Sequence, residues 1–307
     1  MTQAVAALDC GSNSTRLLVT DGSGKALERR MRITRLGEGV DRTGRLDEAA
    51  IERTISTLVG YKQVMDSYGV TKARMVVTAA GREASNAARF LSLAGATCGV
   101  EPEVLTGEAE GVLSFAGATA SLPVDGGPYL VVDIGGGSTE LAVGRGGQSH
   151  PDAVVSLELG CVRLTERFLL HDPPLPSEIL AASGFACSTV DQVMARQPSF
   201  AAARCVVGLA GTVSAVAAMD QGLETYDRDK IHHAVIARSS VQWWLEELSH
   251  QSSAERARHP GLEPERSDVI LGGLMVLSCV LRSASAPSCL VSEADILDGI
   301  ADSLLRS

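Results

Sequence analysis

The sequence predicts an α/β protein built from two lobes of like topology, with a ligand cleft between them. Three observations carry this. First, one motif occurs twice: residues 9–19 read DCGSNSTRLLV and residues 133–143 read DIGGGSTELAV, with six of eleven positions identical at a constant offset of 124. Second, strand-like and helix-like patterns alternate through both halves. Third, 307 residues are enough for two sizeable cores. Two lobes that each present the same hairpin would place their ligand where the hairpins face one another.

Strand-like runs flank both copies, AVAAL and RLLVT around the first, YLVV and ELAVG around the second. Each copy therefore reads as a β-hairpin with an acidic residue at its tip. In the first half an amphipathic helix follows over 47–68, with Asp47 as its N-cap. Next come a strand at 73–78, a helix at 82–95, a short strand at 102–105 and a helix from residue 108. The stretch ATASLPVDGG, 118–127, reads as a linker. The second half restarts with the hairpin, a third strand at 153–157 and a helix from residue 161. A helix at 176–196, a strand at 204–209 and a helix opening at GTVS follow. Helices near 239–250 and 264–284, a strand at 289–291 and a closing helix to about residue 305 complete the chain. The expected lobes are 1–124 and 125–307, with the closing helix a candidate to pack back on the first.

Composition narrows the function. Hydrophobic content of 45% and a mean hydropathy of +0.13 fit a globular enzyme, and no apolar run reaches the ~18 residues of a membrane span. The start MTQAVAALDC lacks the basic opening and apolar core of a signal peptide, so a cytoplasmic protein is expected. Seven cysteines, an odd count without a C-x-x-C pair, predict reduced and mostly buried thiols with no role in metal ligation. The net charge of −10 falls wholly in the second half, since residues 1–124 carry 14 basic and 14 acidic side chains and residues 125–307 carry 13 and 23. That disfavours nucleic acid as partner. A polyanion would have to be held by local N–H groups, selected Arg side chains and a divalent cation.

The hairpin tips are suited to this. Small-sided loops uncover backbone N–H groups, and convergent N–H groups form an anion-binding concavity. Candidate phosphate contacts are Gly11, Ser12, Asn13, Ser14 and Thr15 in the first copy. In the second they are Gly135, Gly136, Gly137, Ser138 and Thr139, where three glycines permit close backbone approach and two hydroxyls add donors. The bland alternative is a duplicated turn kept for its geometry. At the eighth motif position Arg16 faces Glu140, so the copies differ in charge. Gly208, Gly211 and Thr212 in GLAGTVSA read first as a strand-to-helix turn and second as a ligand-facing turn. His232 and His233 read as solvated or core histidines, and Trp243 and Trp244 as helix residues of the core or a dimer surface.

Beyond these features the chain resembles the exopolyphosphatase / guanosine pentaphosphate phosphohydrolase (Ppx/GppA) family of the actin-like, sugar-kinase-like ATPase superfamily. DCGSNSTRLL, LGEGV, VVTAAGREASN, LTGEAEG, DIGGGSTEL, GLAGTVSAVA, YDRDKIHH and ERSDVILGG occur in the family's order over essentially the whole chain. The resemblance implies a two-lobed actin-like ATPase fold and hydrolysis of a terminal phosphoanhydride. It assigns Glu110, in TGEAEG, as general base on the attacking water, where the bland reading is a first-turn carboxylate stabilised by the helix dipole. It makes Asp133 and Glu140 ligands of Mg²⁺ (or Mn²⁺), with Asp9 as their counterpart. Arg82 resembles the family's phosphate-contacting Arg, a role also argued from its poor fit as a cation at a helix start. Arg16 is a further phosphate candidate that could equally pair with Asp or Glu.

Some family members carry a further helical region, so inorganic polyphosphate of short chain length is the expected substrate here. Guanosine pentaphosphate is the alternative ligand, and a homodimer is expected by resemblance. Other classes to separate are a kinase of the same fold and a non-catalytic sensor. One departure stands out: where the family has Gly-Leu-Arg this chain reads VSEADILDG, with Asp295 for Gly and Leu297 for Arg. The hairpins are expected to be unaffected by it.

Overall fold

The computed structural model describes residues 4–306, which form two mixed sheets with helices against them. The first sheet has the order β3-β2-β1-β4-β5, from Val5–Cys10 (β1), Ser14–Thr20 (β2), Ala26–Ile33 (β3), Lys72–Val77 (β4) and Pro102–Val104 (β5). The second comprises Tyr129–Ile134 (β6), Thr139–Gly144 (β7), Ala153–Leu157 (β8), Cys205–Leu209 (β9), Val235–Ala237 (β10) and Ser288–Val291 (β11), in the order β10-β11-β9-β6-β7-β8. Read from opposite edges, the two orders coincide except for the extra β10. In both sheets an antiparallel three-strand meander continues into parallel strands. The central strands β1 and β6 are buried along their whole length, as expected of strands covered on both faces.

Register carries the repeat into space. Asp9 pairs across the first hairpin with Arg16, and Asp133 across the second with Glu140. Because side chains alternate along a strand, each pair projects from one face of its hairpin.

Two helices tie the sheets together. The helix Gly107–Thr119 packs against β6, β7 and β8 of the second sheet, while Ile296–Arg306 packs against β1, β2 and β4 of the first. Ile296, Leu297, Ile300 and Ala301 share a core with Ala7, Leu18 and Val76, and Phe115 and Ala118 share one with Val131, Ala142 and Val207. The two helices run side by side. A Cβ on Gly117 would lie 1.9 Å from the Asp295 carbonyl oxygen, and one on Gly299 2.2 Å from that of Leu113. Only glycine allows this approach.

Several sequence expectations need correction. The helix expected at 82–95 is two helices, Ala79–Glu83 and Ala87–Cys98. Between them Ser85 N–H donates to the Gly44 carbonyl, and the Asn86 amide brackets the Leu46 backbone, accepting from its N–H at 2.8 Å and donating to its carbonyl at 3.0 Å. Tertiary hydrogen bonds thus replace helical ones. The strands β3 and β10 have no counterpart among the expected elements, and the stretch 118–127, expected as a linker, contains the end of a helix and a 3₁₀ turn at Val124–Gly126. The thiols are not all reduced. Cys187 and Cys279 form a disulfide between the helices Pro176–Arg196 and Ile270–Ser283, a pairing across 92 residues that spacing does not reveal. Among the described residues no helix is long and apolar enough to cross a membrane.

Candidate active site

Each hairpin closes with the same bond: Gly11 N–H donates to the Ser14 carbonyl and Gly135 N–H to that of Ser138, both at 2.9 Å. The two tips then meet. A Cβ on Gly136 would sit 3.1 Å from Asn13 N and from Ser12 Cβ, and one on Gly137 3.0 Å from Ser12 Oγ and 3.1 Å from Ala79 Cβ. Gly37 and Gly160 also pack closely on the tips: a Cβ would lie 2.7 Å from Ser12 Cβ at the first and 2.3 Å from the Gly136 carbonyl oxygen at the second. The glycines therefore serve first to pack one tip against the other, not only to admit a ligand as expected.

A pocket of about 640 Å³, its open mouth included, lies at this junction. Asp9, Gly11, Ser12, Asn13, Ser14, Arg16, Glu110, Asp133, Gly135, Gly136, Gly137 and Ser138 all line it, so twelve of the sixteen candidates converge. Among the described residues the backbone N–H groups of Ser12, Asn13, Gly136 and Gly137 donate to no protein acceptor. The buried Asn13 Nδ2 also lacks a partner.

Four candidates do not line the pocket. Thr15 and Thr139 are fully buried and spend their hydroxyls inside the protein, on Thr34 Oγ1 at 2.8 Å and the Leu159 carbonyl at 2.5 Å. Glu140 is buried behind Gly111, accepts from Ser156 Oγ at 2.8 Å and does not reach the pocket wall. Arg82 donates to the Leu105 carbonyl at 2.8 Å and stands 3.6 Å from Glu110 Oε2. It ends a short helix instead of starting a long one, so the dipole argument for its liganded role falls away.

Carboxylates dominate the electrostatics. Asp9 and Asp133 come from the two central strands, and Glu110 from the first turn of Gly107–Thr119, whose N-cap Thr106 accepts from Ala109 N–H. Burial, then the charges of Glu140, Asp133 and Asp9, push the Glu110 carboxyl well above its usual range, with Arg82 opposing. Burial and Asp133 push Glu140 up to about 8, against the hydroxyls of Ser156 and Ser138. Asp133 and Asp9 are raised by burial, with Arg16 opposing in both. Ser114 Oγ donates to Asp133 at 2.6 Å. Asp9 Oδ1, Glu110 Oε2 and Glu140 Oε2 are buried without hydrogen-bond partners, and such oxygens are costly unless a ligand completes them.

Sequence reasoning missed several groups that shape the site. Arg163 spans the halves: Nε donates to the Gly137 carbonyl at 2.7 Å, while NH1 and NH2 reach Asp41 and Glu83 of the first half at 2.6 Å. Arg266 lines the pocket against Gly211, and its motif ERSDVILGG was the available signal. Ala210, at a φ of 69°, was not singled out, but with Gly211 and Thr212 it forms a further wall, so the GLAGT turn takes its second, ligand-facing reading. Asp295 also corrects an expectation. Its Oδ2 lies 2.5 Å from Arg16 NH1, so the departure from the family pattern does touch the first hairpin.

Fold and site define the class: an α/β protein of two mixed sheets with like strand order, with paired hairpin tips walling one polar pocket. Residues 18–307 match the model of the Ppx/GppA phosphatase family, and the chain belongs to that family. It is accordingly a hydrolase. It is 39% identical over 316 residues to Exopolyphosphatase 2 of Mycobacterium tuberculosis, covering 98% of each chain. A crystal structure of an exopolyphosphatase-like protein superposes with a TM-score of 0.92 at 33% identity, covering 99% of each chain. An Aquifex aeolicus Ppx/GppA family structure gives 0.82 at 33% identity, covering 100% of this chain and 99% of that one.

Proposed function

We propose that this chain is an exopolyphosphatase that cleaves the terminal phosphoanhydride of short inorganic polyphosphates with a divalent cation, Mg²⁺ or Mn²⁺. One observation carries the reading. A single pocket holds orphaned donors, Asn13 Nδ2 and the tip N–H groups, beside orphaned carboxylate oxygens on Asp9 and Glu110. Donors without acceptors suit phosphate oxygens, and carboxylates without donors suit a cation or a water. The name of the Mycobacterium relative supports polyphosphate as the polyanion.

The donor set fits a hard cation that keeps waters and substrate oxygens in its shell. Among the described residues no group of three or more His, Cys, Asp or Glu would hold a metal unaided. Asp9 and Asp133, one from each lobe, would hold it together with the substrate. When bound, such an ion offsets phosphate charge and polarises the phosphoryl oxygen. Glu110, raised in proton affinity, orients the attacking water and takes its proton. The water oxygen bonds to the terminal phosphorus, the bridging P–O bond breaks, and the shortened chain leaves with the electron pair. The tip N–H groups and Asn13 hold the phosphate in place for this displacement.

The test is phosphate release from tripolyphosphate, long polyphosphate, guanosine pentaphosphate and ATP, with Mg²⁺ or with a chelator. The expected result is cation-dependent release from short polyphosphate that Glu110→Gln lowers by about 10²–10⁴-fold. Preference for guanosine pentaphosphate would reassign the substrate. Near-full hydrolysis by Glu110→Gln would reject the base.

A further inference from the structure

The pocket is poor in free positive charge for a site that receives a polyanion. Asp9, Glu110 and Asp133 line it against two arginines, and Arg266 is already paired with Glu263 at 2.5 Å. Arg16 is engaged more heavily still. Its Nε and NH2 donate to Asp9 Oδ2 at 2.9 and 2.6 Å, and its NH1 to Asp295 Oδ2 at 2.5 Å. Two carboxylates therefore share one guanidinium at the place where substrate phosphate would arrive.

Asp295 is held firmly in that position. It precedes the helix Ile296–Arg306 and acts as its cap: Oδ1 accepts from Leu297 N–H at 2.9 Å, and its own N–H donates to Asp298 Oδ2 at 2.8 Å. Arg29 braces both acids, 3.4 Å from Asp295 Oδ1 and 2.6 Å from Asp298 Oδ2. The oxygen that takes Arg16 is the one the cap does not use. A capping aspartate at the start of a helix from the far end of the chain thus reaches into the first hairpin.

We propose that Asp295 is a positioning residue that sets substrate affinity, because a substrate phosphate oxygen must compete with its carboxylate for Arg16 NH1. This rests on the phosphate-binding reading of the pocket. Asp295 fixes the guanidinium, offsets part of its charge and keeps the resting affinity for phosphate low. Removing the charge while keeping the cap frees one Arg16 donor for substrate.

The test compares wild type with Asp295→Asn and Asp295→Ser, both able to accept from Leu297 N–H. Michaelis kinetics on tripolyphosphate and titration of its binding to the intact enzyme without hydrolysis-supporting cation are the two readouts. Both variants are expected to lower KM and the dissociation constant by about three- to tenfold, with kcat within about twofold and a steeper dependence on salt. In an Arg16→Gln background the same substitutions should have no effect, as a double-mutant cycle requires of a residue acting through another. Unchanged or weakened binding in both variants, or an equal gain without Arg16, overturns the inference and leaves the enzymatic reading intact. Failure of the wild type to bind or hydrolyse tripolyphosphate overturns both.

Discussion

Replacing Glu140 with Gln should remove a large part of the protein's loss of stability at rising pH. Glu140 is 1% exposed, its Oε2 has no partner, and its carboxyl is pushed up to about 8 from 4.5 by burial and Asp133. Between these two values the folded protein keeps a proton that the unfolded chain releases. The stability this proton confers is complete below about pH 4.5 and is lost as pH rises through about 8. One proton corresponds to a slope of about 1.4 kcal/mol per pH unit, so the window is worth at most about 5 kcal/mol. That is comparable to the whole stability of a marginal domain. A Gln amide oxygen can still accept from Ser156 Oγ, and it carries no charge to bury. The assay is urea unfolding at intervals between pH 5 and pH 9, with a chelator present so that no cation neutralises the cluster. Glu140→Gln should match the wild type within about 1 kcal/mol at pH 5 and exceed it by several kcal/mol at pH 8. Parallel stability curves for the two proteins would refute the argument, because they would mean that Glu140 is already charged in the fold.

Other substitutions probe the junction of the halves. Gly136→Ala puts a methyl group against Asn13 and Ser12 at 3.1 Å and should wedge the tips apart, costing about 1–3 kcal/mol and a larger fraction of kcat/KM than of stability; thermal melts and kinetics on one sample check this. Arg163→Gln takes the ion-pair partner from Glu83 and leaves Asp41 with Arg167 at 3.7 Å, and it should cost about 1–4 kcal/mol, measured by denaturant unfolding. Leu297→Ala empties a fully buried position among Ala7, Leu18 and Val76 and should cost about 2–5 kcal/mol in the same assay, with an unchanged m-value.

Much of the fold was legible because its signals are local. The twofold motif located both hairpins, and Asp47 caps Glu48–Ser67 by accepting from Ala49 and Ala50 N–H, as its position predicted. The strand β3 escaped because ALERRMRI breaks the alternation of a strand with the charged run Glu28-Arg29-Arg30, and none of its residues is buried. What failed in the site failed for non-local reasons. Nothing near Thr15 or Thr139 in sequence announces Thr34 or the Leu159 carbonyl as their partners. Glu140 looks like a metal ligand until the helix Gly107–Thr119 is laid over it, with Gly111 at the contact. Asp295 lies 279 positions from Arg16, and only the packing of the last helix brings them together.

That packing also has a temporal side. The face of the first sheet formed by Ala7, Leu18 and Val76 is covered by residues 296–301, while a helix from the first half covers the second sheet. During synthesis the first sheet can pair its strands early, yet the face completed at Val76 waits for a helix that begins only at Ile296. Neither half is then a self-sufficient folding unit, and the chain should be most vulnerable to aggregation just before its last helix emerges.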